Sequence, residues 1–440
     1  MSHAHARYGA YIDSGVEWLG EVPAHWAEVR IKNIVANLES GVSVNASDEP
    51  VEGDNIGVLK TSCVGKGTFL PNQNKSVWST EIERVCAPVR AGSIIISRMN
   101  TPELVGASSY IPKDYPNLFL PDRLWQTVFF KNIKLNSKWL SWSIGCSAFR
   151  FLLSTLATGT SPSMKNLGQE KLLSIRIPLP LLSEQTAIAA YLDEKTAQLD
   201  RKIDLLSQKA TQYGKLKQSL INETVTRGLD KTVAMKNSGV EWIGEVPPHW
   251  KVKRVKDELN SLDHKRIPLS GEDRGRMAKQ TYDYYGASGI IDKVENYIFD
   301  EPTILLGEDG ANLYSRSTPL AFIASGKYWV NNHAHILKPR KGDISFFCYL
   351  LEATDYTPLI SGSAQPKLTA GQLNRILLMV PPLAEQQAIA TYLNEKTTHI
   401  DRIVATLNTQ IDKLKELRKT LINDIVTGKI CIFKQEASHE

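Results

Sequence analysis

Few residues of this chain have types and spacing that could do chemistry, and each has a plainer explanation. Gly307-Glu308-Asp309-Gly310-Ala311-Asn312 has the acidity of a metal loop, but its spacing fits no calcium loop and reads as a tight turn. His333 and His335, two residues apart, would share one face of a strand with no third metal ligand nearby. Asp193-Glu194-Lys195 resembles a nuclease carboxylate–lysine cluster. It returns later in the chain as Asn394-Glu395-Lys396, without the aspartate, so the solvated face of a helix explains it better. His25 and His249 each precede a tryptophan and read as hydrogen-bonded structural histidines. There is no Gly-x-x-x-x-Gly-Lys-Ser/Thr loop and no Gly-x-Gly-x-x-Gly after a strand, so phosphate-loop and dinucleotide chemistry are both excluded. Five scattered cysteines without a CxxC pair argue against a zinc site and a disulfide framework, and they suit a reducing cytoplasm. The expectation is no catalytic residue, no metal and no cofactor bound by this chain.

The elements that must position everything else are two copies of one long amphipathic segment, 178–228 and 380–429. Matching residues recur at a constant offset of 201: Glu184/Glu385, Gln185/Gln386, Ile188/Ile389, Tyr191/Tyr392, Leu192/Leu393 and Asp200/Asp401. Apolar residues follow in steps of mostly three and four. Leu192, Leu199, Leu206, Leu216 and Leu220 mark the first stripe, and Leu393, Ile400, Leu407, Leu417 and Leu421 the second. Pro178, Pro180, Pro381 and Pro382 precede the helix in each segment, and Gly228 and Gly428 stand near the ends, as helix starts and stops tend to. A helix of about 45 residues would run roughly 65 Å and needs a partner for its stripe. The nearest partner is the other copy.

A second repeat lies upstream. Ser14–Trp26 (SGVEWLGEVPAHW) returns as Ser238–Trp250 (SGVEWIGEVPPHW) with 11 of 13 positions identical, at an offset of 224. Two different offsets mean a near-constant frame around two unequal inserts, the second 23 residues shorter. Trp18, Trp26, Trp242 and Trp250 read as the apolar anchors of a docking strip. The expected order is a docking strip at 1–26, an α+β module at 27–177 and the first helix at 178–228. A linker repeating the strip follows at 229–250, then a second module at 251–379, the second helix at 380–429 and a tail at 430–440. Candidate strands in the first module are Ile56–Leu59, Ser93–Ser97, Ala107–Ile111 and Leu124–Phe130, with a helical patch over Leu140–Leu156. The fold class is α+β: two globular modules alternate with two long helices that pair as an antiparallel coiled coil, a pseudo-two-fold internal repeat. A net charge of +5 permits an anionic partner without requiring one, and no apolar run is long enough to span a membrane.

Two unequal α+β modules alternating with two near-identical long helices resemble the specificity subunit of type I restriction–modification systems. The likeness rests on the tryptophan repeat, on PLPLLSEQTAIAAYLDEKTAQLD and PPLAEQQAIATYLNEKTTHID, and on module segments such as IIISRMNTPELVGASS, LLGEDGANL and WVNNHAHILK. The resemblance implies a non-catalytic, cytoplasmic protein that binds double-stranded DNA. Each module would be a target recognition domain reading one half of a bipartite asymmetric site. The helices would dock two methyltransferase subunits, and restriction–translocase subunits would complete the complex. S-adenosylmethionine, ATP and Mg²⁺ would belong to those partners. On this reading the candidate base readers are Lys60, Thr61, Ser62, Ser97, Arg98, Asn100, Thr160, Ser161 and Lys165 in the first module. In the second they are Tyr284, Tyr285, Ser288, Asn331, Asn332, His333, Ser363, Gln365 and Lys367. Helix pairing and partner docking fall to Glu184, Gln185, Ile188, Tyr191, Leu192, Leu199, Leu206, Leu220 and their counterparts Glu385, Gln386, Ile389, Tyr392, Leu393, Ile400, Leu407 and Leu421. Two rival readings are a self-contained nuclease with its site in GEDGAN or His-Ala-His, and a coiled-coil scaffold that binds something other than DNA.

Overall fold

The computed structural model describes residues 7–433 apart from 66, 162, 241–242 and 363–364. Trp242, Ser363 and the end of the tail, all singled out above, lie outside the described residues, as do the side chains of Thr160 and Ser161. The chain forms two compact units, Met1–Leu205 with Gln410–Glu440, and Leu206–Thr409.

In the first unit, Ala27–Arg30 pairs antiparallel with Arg176–Leu179 and closes the module at its root. Between these strands lies an antiparallel sheet in the order 108–110, 94–97, 124–129, 35–40. Its central strand Ile94–Ser97 is buried on both faces, which explains the unbroken apolar run in its sequence. A second sheet runs 74–76, 57–59, 115–119, 88–89, with 57–59 and 115–119 parallel. Trp125, Trp139 and Phe149 fill the core. The helical patch expected over 140–156 is instead two helices, Ser137–Gly145 and Ser147–Leu156. Cys146 separates them with extended backbone and stands at the start of the second.

The second unit repeats this plan. Lys251–Arg254 pairs with Leu377–Val380. One sheet runs 321–324, 303–307, 334–339, 259–261, and the other 289–294, 282–286, 327–330, 299–300, again with its two middle strands parallel. The topology of the first module is therefore built again from a different sequence.

The long helices span Leu182–Arg227 and Leu383–Val426. Within the first unit, Ile188, Ala189 and Leu192 of one pack with Ile422, Ile425 and Val426 of the other. Within the second, Ile221 and Val225 meet Ile389, Ala390 and Leu393. In each unit rising numbers on one helix meet falling numbers on the other, so the pairing is antiparallel. The ion pairs obey the repeat as well: Asp200 meets Arg418 at 2.8 Å, and its counterpart Asp401 meets Lys217 at 2.7 Å. These pairs displace two expected seam residues. Lys217 and Arg418 lay their stems along the seam, which turns Leu216 and Leu417, one residue earlier and about 100° round the helix, out to 53% and 52% exposure.

Each tryptophan strip is held between the start of one helix and the end of the other. In the first unit Gly428 turns at φ +77°, and a Cβ there would lie 2.3 Å from Pro23 Cδ. Gly428→Ala is therefore expected to cost about 1–3 kcal/mol, from left-handed backbone strain and overpacking together. Urea unfolding of the full chain measures this, and an unchanged midpoint would show that the strip can give way.

Candidate nucleic-acid interface

The Glu-Gln pair at the start of each helix turns inward. Trp26 Nε1 donates to Glu184 at 3.3 Å and His25 Nε2 lies 3.1 Å from the same carboxylate. Trp250 and His249 meet Glu385 at 3.1 and 2.8 Å. Gln185 donates to the Pro180 carbonyl and accepts from Asn136 N–H, the residue that caps helix Ser137–Gly145. Gln386 does the same with Pro381 and Asp343, the cap of helix Ile344–Ala353. Glu184, Gln185, Glu385 and Gln386, assigned above to helix pairing and partner docking, thus also make bonds inside the chain. Their side chains bond the chain's own strips and modules. Tyr191 and Tyr392 pack half-buried against the two cores, as does Leu421 on the first and Leu220 on the second. Leu199 and Leu206 are half-buried on the first helix, while Ile400 and Leu407 are buried on the second.

In the first module, Arg98, Asn100 and Lys165 come together. Strand Met164–Asn166 pairs with Met99–Asn100, placing Lys165 opposite Asn100. The outer strand Thr158–Ser161 completes a hairpin over them, and Gly159 lets that hairpin close: a Cβ there would lie 2.2 Å from Met164 O. Arg98 lies half-buried over the Trp125 ring at 5.7 Å, and its Nε finds no acceptor among the described residues. Ser97 is fully buried and accepts from Asn100 Nδ2, so it positions Asn100 and cannot itself reach a base. Lys60, Thr61 and Ser62 lie elsewhere, at the end of strand Gly57–Leu59. There Lys60 Nζ donates to the Asp48 carbonyl and Ser62 to Gln73.

In the second module, two expectations fail on burial. Tyr284 is 1% exposed, with its hydroxyl on the Leu269 backbone and Arg274 stacked on its ring. Asn331 is 5% exposed and accepts from His333 N–H, fixing the turn that presents His333. Both read as polar loop residues in the sequence, but Tyr284 lies in strand 282–286 with its side chain inward and Asn331 is buried just after strand 327–330. Tyr285 is half-buried against Phe322 and Tyr328. Ser288 lies exposed in a hairpin turn, and Asn332 and Gln365 are exposed too. Lys367 pairs across a bridge with Asp309 and reaches Glu308 at 3.2 Å. His333 Nδ1 lies 2.9 Å from both Asp309 carboxylate oxygens. His335 is buried, with Nδ1 2.7 Å from Asp263 and Nε2 2.8 Å from the Leu368 carbonyl.

Asp263 and Arg266 are the residues sequence reasoning missed, and in the sequence Glu308 and Asp309 read only as part of a tight turn. Arg266 meets Glu308 at 2.5 Å and the carbonyls of Asn332 and Ala334. Burial alone would raise the Glu308 carboxyl, but the Arg266 hydrogen bond and the neighbouring positive charges outweigh it and hold that carboxyl below its ordinary range. The GEDGAN turn therefore carries the acidic half of a charge network. The clue in the sequence was two acids and two histidines near one strand pair, but Arg266 and Asp263 come from far upstream.

A groove of about 700 Å³ in the first unit lies beside the helix start. Its Lys138 and Arg418 are already engaged by Asp193 and Asp200, which leaves those cations little pull on phosphate. In the first module the glycine-closed hairpin, with Arg98, Asn100 and Lys165 grouped at its root, is the better candidate nucleic-acid surface.

The family model described as type I restriction modification DNA specificity domain matches residues 23–212 and again 247–415. The type I restriction enzyme MjaVIII specificity subunit of Methanocaldococcus jannaschii is 22% identical over 436 residues, covering 93% of this chain and 94% of that protein. The putative specificity subunit S.HindORF215P of Haemophilus influenzae is 30% identical over 165 residues, 37% of this chain and 39% of that protein. A solved chain from work on complex assembly and conformational transition of the type I R-M system shares the fold, with a TM-score of 0.67 at 14% identity, covering 92% of this chain and 98% of that one. With the family model matched once in each half, this chain belongs to the type I restriction–modification DNA specificity family.

Proposed function

We propose that this non-catalytic specificity subunit reads a bipartite, asymmetric DNA target, one module to each half-site, and docks two methyltransferase subunits through its paired helices. The observation that carries the reading is one topology built twice with different side chains at the roots of its hairpins. Phosphate contacts would supply affinity, and base-edge contacts at those roots would supply sequence. Leu216 and Leu417, exposed at corresponding positions of the two helices, suit two equivalent partners. S-adenosylmethionine, ATP and Mg²⁺ would be bound by methyltransferase and restriction–translocase subunits of a cytoplasmic complex. No described helix is long and apolar enough to cross a membrane.

Replacing residues 27–177 with the corresponding module of another family member tests this directly. In complex with its methyltransferase subunits, the hybrid is expected to methylate sites with one half-site changed and the other retained, as read by mapping methylated bases in a host genome. If both half-sites moved together, the one-module-per-half assignment would be wrong. Cleavage of DNA by the purified chain with Mg²⁺ alone would point instead to a self-contained nuclease.

A further inference from the structure

The two modules share no recognisable motif at their candidate readers, but their backbone hydrogen bonds give a residue-by-residue correspondence. Arg98 N–H donates to the Arg123 carbonyl at 3.0 Å, and Glu308 N–H donates to the His333 carbonyl at 2.9 Å. Leu167 N–H donates to the Arg98 carbonyl, and Leu368 N–H to the Glu308 carbonyl, both at 2.8 Å. Strand register agrees: Leu124 is opposite Ser97, as Ala334 is opposite Gly307. Arg123 therefore occupies in the first module the position His333 occupies in the second, and Arg98 corresponds to Glu308.

The chemistry at these positions differs. Arg123 is exposed, and its side chain has no hydrogen-bond or ion-pair partner among the described residues. The guanidinium of Arg98 stands at the neighbouring position, with no carboxylate where Glu308 stands in the other module. His333 has its Nδ1 held by Asp309. A carboxylate only accepts, so Nδ1 donates, and in that tautomer Nε2 is the acceptor of the ring.

We propose that Arg123 and His333 are corresponding base-reading side chains, Arg123 for the O6/N7 edge of guanine and His333 for an exocyclic amine of adenine or cytosine. This rests on the half-site reading above and names the residue in each module that sets one base of it. Two free donors match two acceptors on guanine, whereas an acceptor matches an amine donor.

The experiment is selection from a random duplex library by the complex with its methyltransferase subunits, comparing the wild type with Arg123→Ala and His333→Ala. Arg123→Ala is expected to lower selectivity for guanine about tenfold or more at one position of one half-site. His333→Ala should flatten one position of the other half-site, and each variant should leave its opposite half unchanged. A weaker Arg123→Ala complex that keeps the full consensus would overturn the proposal, because Arg123 would then hold phosphate. So would two variants that alter the same half-site, or an unchanged consensus in both. A wild-type complex that selects no two-part consensus would instead sink the half-site reading on which this rests.

Discussion

Trp26→Ala is expected to destabilise the first unit by about 3–5 kcal/mol, and Trp250→Ala the second by a similar amount. The Trp26 ring is 4% exposed, packs edge-on to Tyr8 at 5.6 Å, and gives its one polar hydrogen to Glu184. Truncation removes that apolar burial and leaves a cavity between a helix start and a helix end. It also strips Glu184, itself 8% exposed, of a donor. Glu184→Ala should cost less, about 1–3 kcal/mol, because the ring stays packed while its N–H, His25 and the Leu181 N–H lose an acceptor. Amide hydrogen exchange on the full chain separates the two units: Trp26→Ala should lose protection at 14–26 and around 182–192, with 238–250 unaffected. A loss below about 1 kcal/mol would mean that the strip rests on the helices without holding them.

The clasp also shows what the sequence made legible. The helices could be read because their 3.6-residue period and their repetition are local properties, visible without knowing what they touch. The strips could be read as docking elements because eleven identities in thirteen residues are hard to miss. That the strip's target is Glu184 or Glu385 could not be read, since donor and acceptor are 158 and 135 residues apart. Seam geometry was legible only in part. A leucine stripe suggested Leu216 and Leu417, but a cross-helix ion pair shifts the seam by one residue, and ion pairing leaves no periodicity in the sequence. The repeat of the modules was hidden because a sheet's order and register are set by patterns of burial that many sequences satisfy. Hence loop residues chosen by polarity included Tyr284 and Asn331, which fold inward, and passed over Arg123.

His335→Leu is expected to cost the second unit about 3 kcal/mol and to alter its dependence on pH. The ring lies between two acceptors. Leu368 O can only accept, so Nε2 carries a hydrogen, and Asp263, at 2.7 Å, takes one from Nδ1. Two donated hydrogens make the ring an imidazolium. Burial pulls its pKa down, but the hydrogen bond and charge of Asp263, the Leu368 carbonyl and the charge of Glu308 together raise it above the ordinary histidine value. For Asp263, burial pushes up while the hydrogen bond and charge of His335, Ile336 N–H and the charge of Arg266 pull further down, so its carboxyl sits below its usual range. The signs then fix the window. The contribution of His335 is complete below its unfolded pKa of about 6.5 and is lost as pH rises through the raised folded value. That of Asp263 is present above its unfolded value of about 3.9 and lost as pH falls through the depressed one. Their joint contribution is greatest between about pH 4 and 6.5. Removing one partner of a buried pair costs about 3–5 kcal/mol, and the low end applies here because Arg266 stays 3.8 Å from Asp263. Urea unfolding of the full chain at pH 5.5 and pH 9 should show the wild type losing stability toward alkaline pH and the variant losing less. An equal slope in both would mean that the ring is neutral when folded. Because Leu368 follows directly on Lys367, which bridges Ser361, the same substitution should speed amide exchange at Lys367 and Leu368. A charge buried in the core thus fixes the root of the loop that presents Lys367.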